Sequence, residues 1–256
     1  MPSANRLPPR PLLVSASLHA AAAWLLVGGL ALAFAVRWGL PLDYVMQALL
    51  VFSGLAAAMA PLLPQHRPLP RFGPANGVTL LRAGIAALAA GLIGRPDAPP
   101  GLAWTVAVLA GVALALDGVD GWLARRGGWQ SPFGARFDME VDAFFILVLA
   151  VLTWQAGKAG AWVLLSGALR YGFVALSYPL SWLRRPLPPR KRRQTLCVIQ
   201  TVVLALCQIP WLTPPGTTAL AAIALGLLLW SFWVDVIWLA RHARSPARED
   251  RSAGDG

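Results

Sequence analysis

Four aspartates, Asp117, Asp120, Asp138 and Asp142, stand at the spacing D-x2-D-x17-D-x3-D between long apolar runs. The stretch 117–142 carries five of the chain's eleven acidic residues, in a sequence that is 57% hydrophobic and only 13% charged. With a helical step of roughly 100° per residue, Asp120, Gly121, Ala124 and Arg125 share one face with Asp117, and Gly118 lies at its edge. Counted from Gly134, Asp138 and Asp142 fall within about 80°, whereas Glu140 lies about 240° round, on another face. Two helices thus each present a pair of carboxylates, and the short loop near 125–132 makes them antiparallel neighbours. Four carboxylates in one crevice repel one another and are poorly solvated. A divalent cation removes that conflict, and all-oxygen ligation without Cys or His favours Mg²⁺ or Mn²⁺. Four carboxylates can hold two ions about 4 Å apart, a spacing suited to phosphoryl chemistry. Gly118, Gly121 and Gly134 remove bulk beside the carboxylates, so that a large ligand or the facing backbone can come close.

The elements that must position these acids are apolar. Runs near the roughly 20 residues needed to cross a bilayer recur along the whole chain. They lie at about 11–35, 43–64, 78–95, 101–124, 133–157, 159–183, 195–213 and 216–240. The fold class expected is all-α, a polytopic membrane helical bundle of about eight transmembrane helices with no separate soluble domain. The net charge of +11 could suggest nucleic acid, but its distribution does not. With the N-terminus inside, alternate segments on the inner side hold 18 of the 22 basic residues; only Arg37, Arg95 and Lys158 fall outside, and Arg170 lies within a span. This is the positive-inside pattern of an even number of spans with both termini cytoplasmic. The basic excess reflects topology and attraction to anionic headgroups, so membrane lipids are expected partners and nucleic acid is not.

Cys197 and Cys207 share one apolar span and imply neither a disulfide framework nor a zinc site. The first apolar run exceeds a usual signal-peptide core and reads as a retained helix. The first two spans form a nearly nonpolar hairpin. The Pro-rich basic stretch "PLLPQHRPLPRFGPANG" then stops helices at the interface. A second such break, "LRRPLPPRKRRQT", precedes the seventh span, and the polar tail reads as disordered. The expected division is 1–73 for the hairpin and basic linker, 74–241 for a six-helix core, and 242–256 for the tail.

Asp117, Asp120, Gly121, Ala124, Arg125, Gly134, Asp138 and Asp142 fit the pattern D-x2-D-G-x2-A-R-x8-G-x3-D-x3-D. In this the chain resembles the CDP-alcohol phosphatidyltransferases over about residues 74 to 240. The resemblance implies transfer of a phosphatidyl or similar group from a CDP-alcohol lipid to a small alcohol acceptor, with release of CMP. It implies that Asp117, Asp120 and Asp138 ligate metal, and that Asp142 is a shared ligand and the catalytic proton acceptor. Gly118, Gly121, Arg125 and Ser131 would contact the CDP-lipid. A second family feature, P-N-x2-T-x2-R, is matched by Asn76, Thr79 and Arg82, although Pro74 sits one residue early. By that match Asn76, Gly77, Val78 and Thr79 would line the nucleotide from the facing helix; the plainer alternative is a helix start with Asn76 as N-cap. A homodimer is also implied.

Arg170 is costly inside a membrane and is expected to face the polar cavity, where it would bind an acceptor or lipid phosphate; a structural ion pair is the alternative. Arg193, in the basic run near the site, is a second candidate for the acceptor, and a positive-inside anchor is its alternative. Asp235 is expected to make a structural bond. The site is expected just below the cytoplasmic headgroups of a bacterial inner (cell) membrane. Asp117 lies about 10 Å along its helix from Ala124, and Asp142 about 13 Å from Phe133. The other class considered is a cation transporter. That predicts carboxylates near mid-membrane and two inverted halves, and the sequence shows neither.

Overall fold

The computed structural model describes residues 8–95, 99–184 and 191–243. The expectations for the tail beyond Ala243, and for Arg6, Arg185 and Arg190 as inner-side charges, lie outside them. Among the described residues the chain is helical and has no strand. Eight α-helices follow one another: α1 Arg10–Trp38, α2 Leu42–Met59, α3 Gly73–Ala90, α4 Pro100–Gly127, α5 Pro132–Gln155, α6 Leu165–Ser177, α7 Lys191–Cys207 and α8 Gly216–Ala243. Short 3-10 turns cover Ala60–His66, Ala161–Leu164 and Ser181–Arg184. Each α-helix falls on one of the eight apolar runs.

Among the described residues, four segments are long and apolar enough to cross a membrane: Arg10–Trp38, Leu42–His66, Gly101–Gly127 and Gly216–His242. The others differ for legible reasons. α3 carries Asn76, Thr79 and Arg82, and its first three turns are polar on one face. α5 opens with Arg136, Asp138, Glu140 and Asp142. α6 has only 13 residues, and α7 begins with Lys191, Arg192 and Arg193.

α3 is the centre of the assembly and packs on α1, α2, α4 and α5. Its buried face is dominated by small residues, among them Ala75, Ala83, Gly84, Ala86, Ala87, Ala89 and Ala90. Side chains this short let neighbouring helices come close, which is how helices associate tightly where lipid removes most of the hydrophobic drive. The buried Tyr44 of α2 donates its hydroxyl to the Leu88 carbonyl at 3.2 Å. Gln47 donates to the carbonyls of Ala90 and Ile93, and Arg95 pairs with Asp43 at 2.9 Å. These bonds fasten the N-terminal hairpin to the core at the end of the bundle away from the aspartates.

At the aspartate end, Gly73 opens α3 with φ 82°, and the Trp129 ring lies where its Cβ would be. Only glycine meets both demands without strain. α4 ends at Gly128 in the left-handed conformation, its N–H returned to the Ala124 carbonyl. After the tight turn, Ser131 caps α5 by accepting the Gly134 N–H at 3.0 Å, with Pro132 in the first turn. This turn places the two aspartate-bearing helices side by side.

Candidate metal and phosphate site

α3 supplies what binds the aspartates together. Thr79 and Arg82 are three residues apart, so their side chains point the same way. The Arg82 guanidinium reaches all four carboxylates. Nη1 donates to Asp120 Oδ2 at 2.7 Å and to Asp138 Oδ1 at 2.5 Å. Nη2 lies 2.8 Å from Asp117 Oδ1 and also bonds Asp142. Thr79 adds a hydrogen bond from its hydroxyl to Asp120 Oδ2 at 3.1 Å. The helical-face reading of the four acids thus holds in three dimensions. Glu140 lies off that face and receives Arg170 of α6 in a two-pronged pair, Nη2 to Oε1 at 2.5 Å and Nε to Oε2 at 3.2 Å.

The crevice is closed at one side and open at the other. Asp120 has 6% of its side chain exposed and Arg82 likewise 6%, against 39% for Asp138 and 36% for Asp142. Asp120 is the buried floor, and a ligand would approach over Asp138 and Asp142. One guanidinium leaves a formal charge of −3 on the five groups, four carboxylates less one cation. Asp117, Asp120 and Asp138 each offer an oxygen, and these lie within 4.8 Å of one another. An all-carboxylate set at that separation fits a hard divalent cation. The Arg82 guanidinium is the cation that bridges the cluster here.

Arg82 was expected only as the end of a motif, not as the hub of the cluster. One signal could have drawn attention to it, an arginine set within an apolar run, although its partners could not be read from spacing. Its consequence is testable. Arg82→Ala leaves the buried Asp120 and its three partly exposed neighbours without their internal cation, which costs about 3 kcal/mol. In chelator we expect the melting temperature to fall by about 5–10 °C relative to wild type. Added Mn²⁺ should close most of that gap, and an equal deficit with and without metal would contradict the assignment.

The other expected residues lie around this cluster. Gly121 and Arg125 belong together. Arg125 is exposed, and its Nη1 lies 3.2 Å from where a Cβ on Gly121 would be, so the guanidinium folds back over the glycine beside the carboxylates. Gly118 borders open space, and nothing lies within 4 Å of its Cβ position. Asn76 and Thr79 are buried behind the carboxylates. Asn76 is not an N-cap, because α3 already begins at Gly73; its amide donates back to the Phe72 carbonyl at 2.6 Å. Its Oδ1 lies 2.9 Å from where Gly134 would carry a Cβ, so Gly134 allows α5 to lie against α3. Gly77 faces His19 of α1, Val78 is half-buried, and Ser131 serves as the α5 cap.

The two candidates for the acceptor both have carboxylate partners. Arg170 is held by Glu140, the structural pair weighed as its alternative. Arg193 lies 3.7 Å from Asp235, which takes a closer bond from Arg192 at 2.7 Å. Asp235 therefore does what was expected of it, joining α8 to α7.

The family model for CDP-alcohol phosphatidyltransferase matches residues 72–242. That range begins one residue before α3 and spans every helix that carries a site residue. No curated protein and no solved structure matches the chain.

Proposed function

The chain belongs to the CDP-alcohol phosphatidyltransferase family, and from that premise we propose that it moves a phosphatidyl or related phospho-alcohol group from a CDP-alcohol such as CDP-diacylglycerol to a small acceptor alcohol. CMP is the other product. The observation that carries this reading is the meeting of four aspartates from two helices, with one side of the crevice open and Arg125 beside it.

Two Mg²⁺ or Mn²⁺ ions held by Asp117, Asp120, Asp138 and Asp142 would neutralise the diphosphate and the charge on the departing CMP. Arg125 offers its fork of donors to a phosphate. Asp142 is half-exposed at the open side, where it can take the proton of the acceptor hydroxyl as that oxygen bonds to the lipid-bearing phosphorus. The bond from that phosphorus to the bridging oxygen breaks, and its electron pair leaves with CMP. Asn76 and Thr79 stiffen the floor beneath, and Ser131 borders the CDP-lipid. Arg170 and Arg193 remain the acceptor candidates of this reading, and an acceptor phosphate would compete there with Glu140 and Asp235.

The positive-inside distribution favours a site facing the cytoplasmic leaflet. There a lipid diphosphate and a soluble alcohol meet at headgroup level. Family resemblance adds a homodimer in a bacterial inner membrane. The family match gives the transporter alternative no support. The test is to incubate the purified protein with CDP-diacylglycerol, Mn²⁺ and single alcohols, including glycerol 3-phosphate, inositol phosphate and serine, and to follow CMP. Release that depends on one alcohol supports the reading and names the acceptor. No release with any alcohol, from CDP-diacylglycerol or another CDP-alcohol, would overturn it.

A further inference from the structure

The N-terminal hairpin lies outside the matched range, yet its last residue enters the site-bearing turn. His66 closes the 3-10 turn after α2 and is 0% exposed. Its Nε2 lies 2.9 Å from the Arg71 carbonyl, and its Nδ1 lies 2.7 Å from the Ser131 hydroxyl. A carbonyl can only accept, so Nε2 carries the hydrogen. In the neutral ring Nδ1 is then the acceptor, and Ser131 donates to it. Ser131 Oγ in turn accepts the Gly134 N–H at 3.0 Å. A directed chain results, from Gly134 through Ser131 to His66 and on to Arg71.

The surroundings hold the imidazole in place. It meets the Phe133 ring edge-on at 5.6 Å and the Phe72 ring at 6.5 Å. Phe72, Phe133 and Phe137 complete an aromatic cluster under the first turn of α5. The same hairpin braces α3: Ser15 accepts the Phe72 N–H at 3.2 Å, and His19 packs on Phe72 and against Gly77.

We infer that His66 is a positioning residue for CDP-lipid binding, acting through Ser131 on the turn that begins α5. It fixes the hydroxyl proton of Ser131, so that the half-buried oxygen meets a ligand with a lone pair and pairs with an N–H or O–H donor. It also holds the first turn of the helix that carries Asp138 and Asp142. The accessory hairpin thereby becomes part of the site. This inference rests on the proposed role of Ser131 in binding the CDP-lipid.

The test uses the full-length protein in nanodiscs with Mn²⁺ and CDP-diacylglycerol as the probe. Loss of one hydrogen bond to the ligand-facing oxygen should weaken binding about five- to tenfold in His66→Ala and in Ser131→Ala. The double variant should be no weaker than either single one, because both remove the same connection. His66→Asn keeps an acceptor near the Nδ1 position and should bind within about twofold of wild type. His66→Gln places its amide near Nε2 instead and should bind as weakly as His66→Ala. Amide exchange at Gly134 should accelerate in His66→Ala and His66→Gln but not in His66→Asn. Additive losses in the double variant, or equal binding by the Asn and Gln variants, would overturn the inference. If wild-type protein does not bind CDP-diacylglycerol, that donor is excluded from the proposed function, and Gly134 exchange alone then decides whether His66 positions the turn. Unchanged exchange in all three variants rules that role out, and the pattern predicted above upholds it. Should His66→Ala not fold, the Asn and Gln pair carries the same comparison.

Discussion

Asp138→Asn and Asp117→Asn should each lower CMP release by about a thousandfold or more and weaken metal-dependent binding of CDP-lipid. The reason is the ligand set. Asp117, Asp120 and Asp138 bring oxygens within 4.8 Å of one another, and an amide oxygen is a much poorer partner for a hard dication than a carboxylate. The two positions are also suited to a clean test. Asp138 is 39% exposed and Asp117 28%, so neutral isosteres there do not strand a buried group. Arg82 retains three carboxylates in either variant, and the fold should survive. Calorimetric titration with Mn²⁺ checks the prediction. Titrations indistinguishable from wild type would remove the metal-site assignment.

Asp142→Asn is expected to separate chemistry from binding. As the proton acceptor, Asp142 acts on the reacting hydroxyl, so its loss should lower turnover about a hundredfold or more. CDP-lipid should still bind through the other three carboxylates, Gly121 and Arg125, although one metal binds less tightly. Glu140→Gln is the control. It is two residues away in sequence, but it faces Arg170 on α6 and not the Arg82 cluster. Glutamine keeps an oxygen to accept from Arg170 and is remote from the Arg82 cluster, so Glu140→Gln should leave most activity intact. Turnover as low in Glu140→Gln as in Asp142→Asn would move the base to Glu140 and undo the helical-face argument.

The acids were legible because their information is local. Spacing fixes angle on a helix, and two pairs at x2 and x3 put four carboxylates on facing stripes before any tertiary structure is known. The eight helices were legible for a similar reason, as apolar runs bounded by Pro, Gly and charge. Arg82 was harder to read. Its contacts with Asp117, Asp120, Asp138 and Asp142 depend on how α3 leans on α4 and α5, which no spacing encodes. His66 was harder still. It stands in a Pro-rich stretch read only as an interfacial break, and its partner Ser131 is 65 residues away. Arg170 was legible only as a choice between a ligand contact and a structural ion pair. An intramembrane arginine suggested a ligand, but Glu140, the acid set aside as lying off the catalytic face, neutralises it.

The most direct test of the account is CMP release from CDP-diacylglycerol by chelated protein, followed as Mn²⁺ is returned. The acceptor alcohol found in the panel is held in excess. The account predicts no release under chelation, recovery as Mn²⁺ fills the carboxylate site, and no recovery at any Mn²⁺ concentration in Asp138→Asn. Release that persists in chelator, or that Asp138→Asn supports at the wild-type rate, would contradict it.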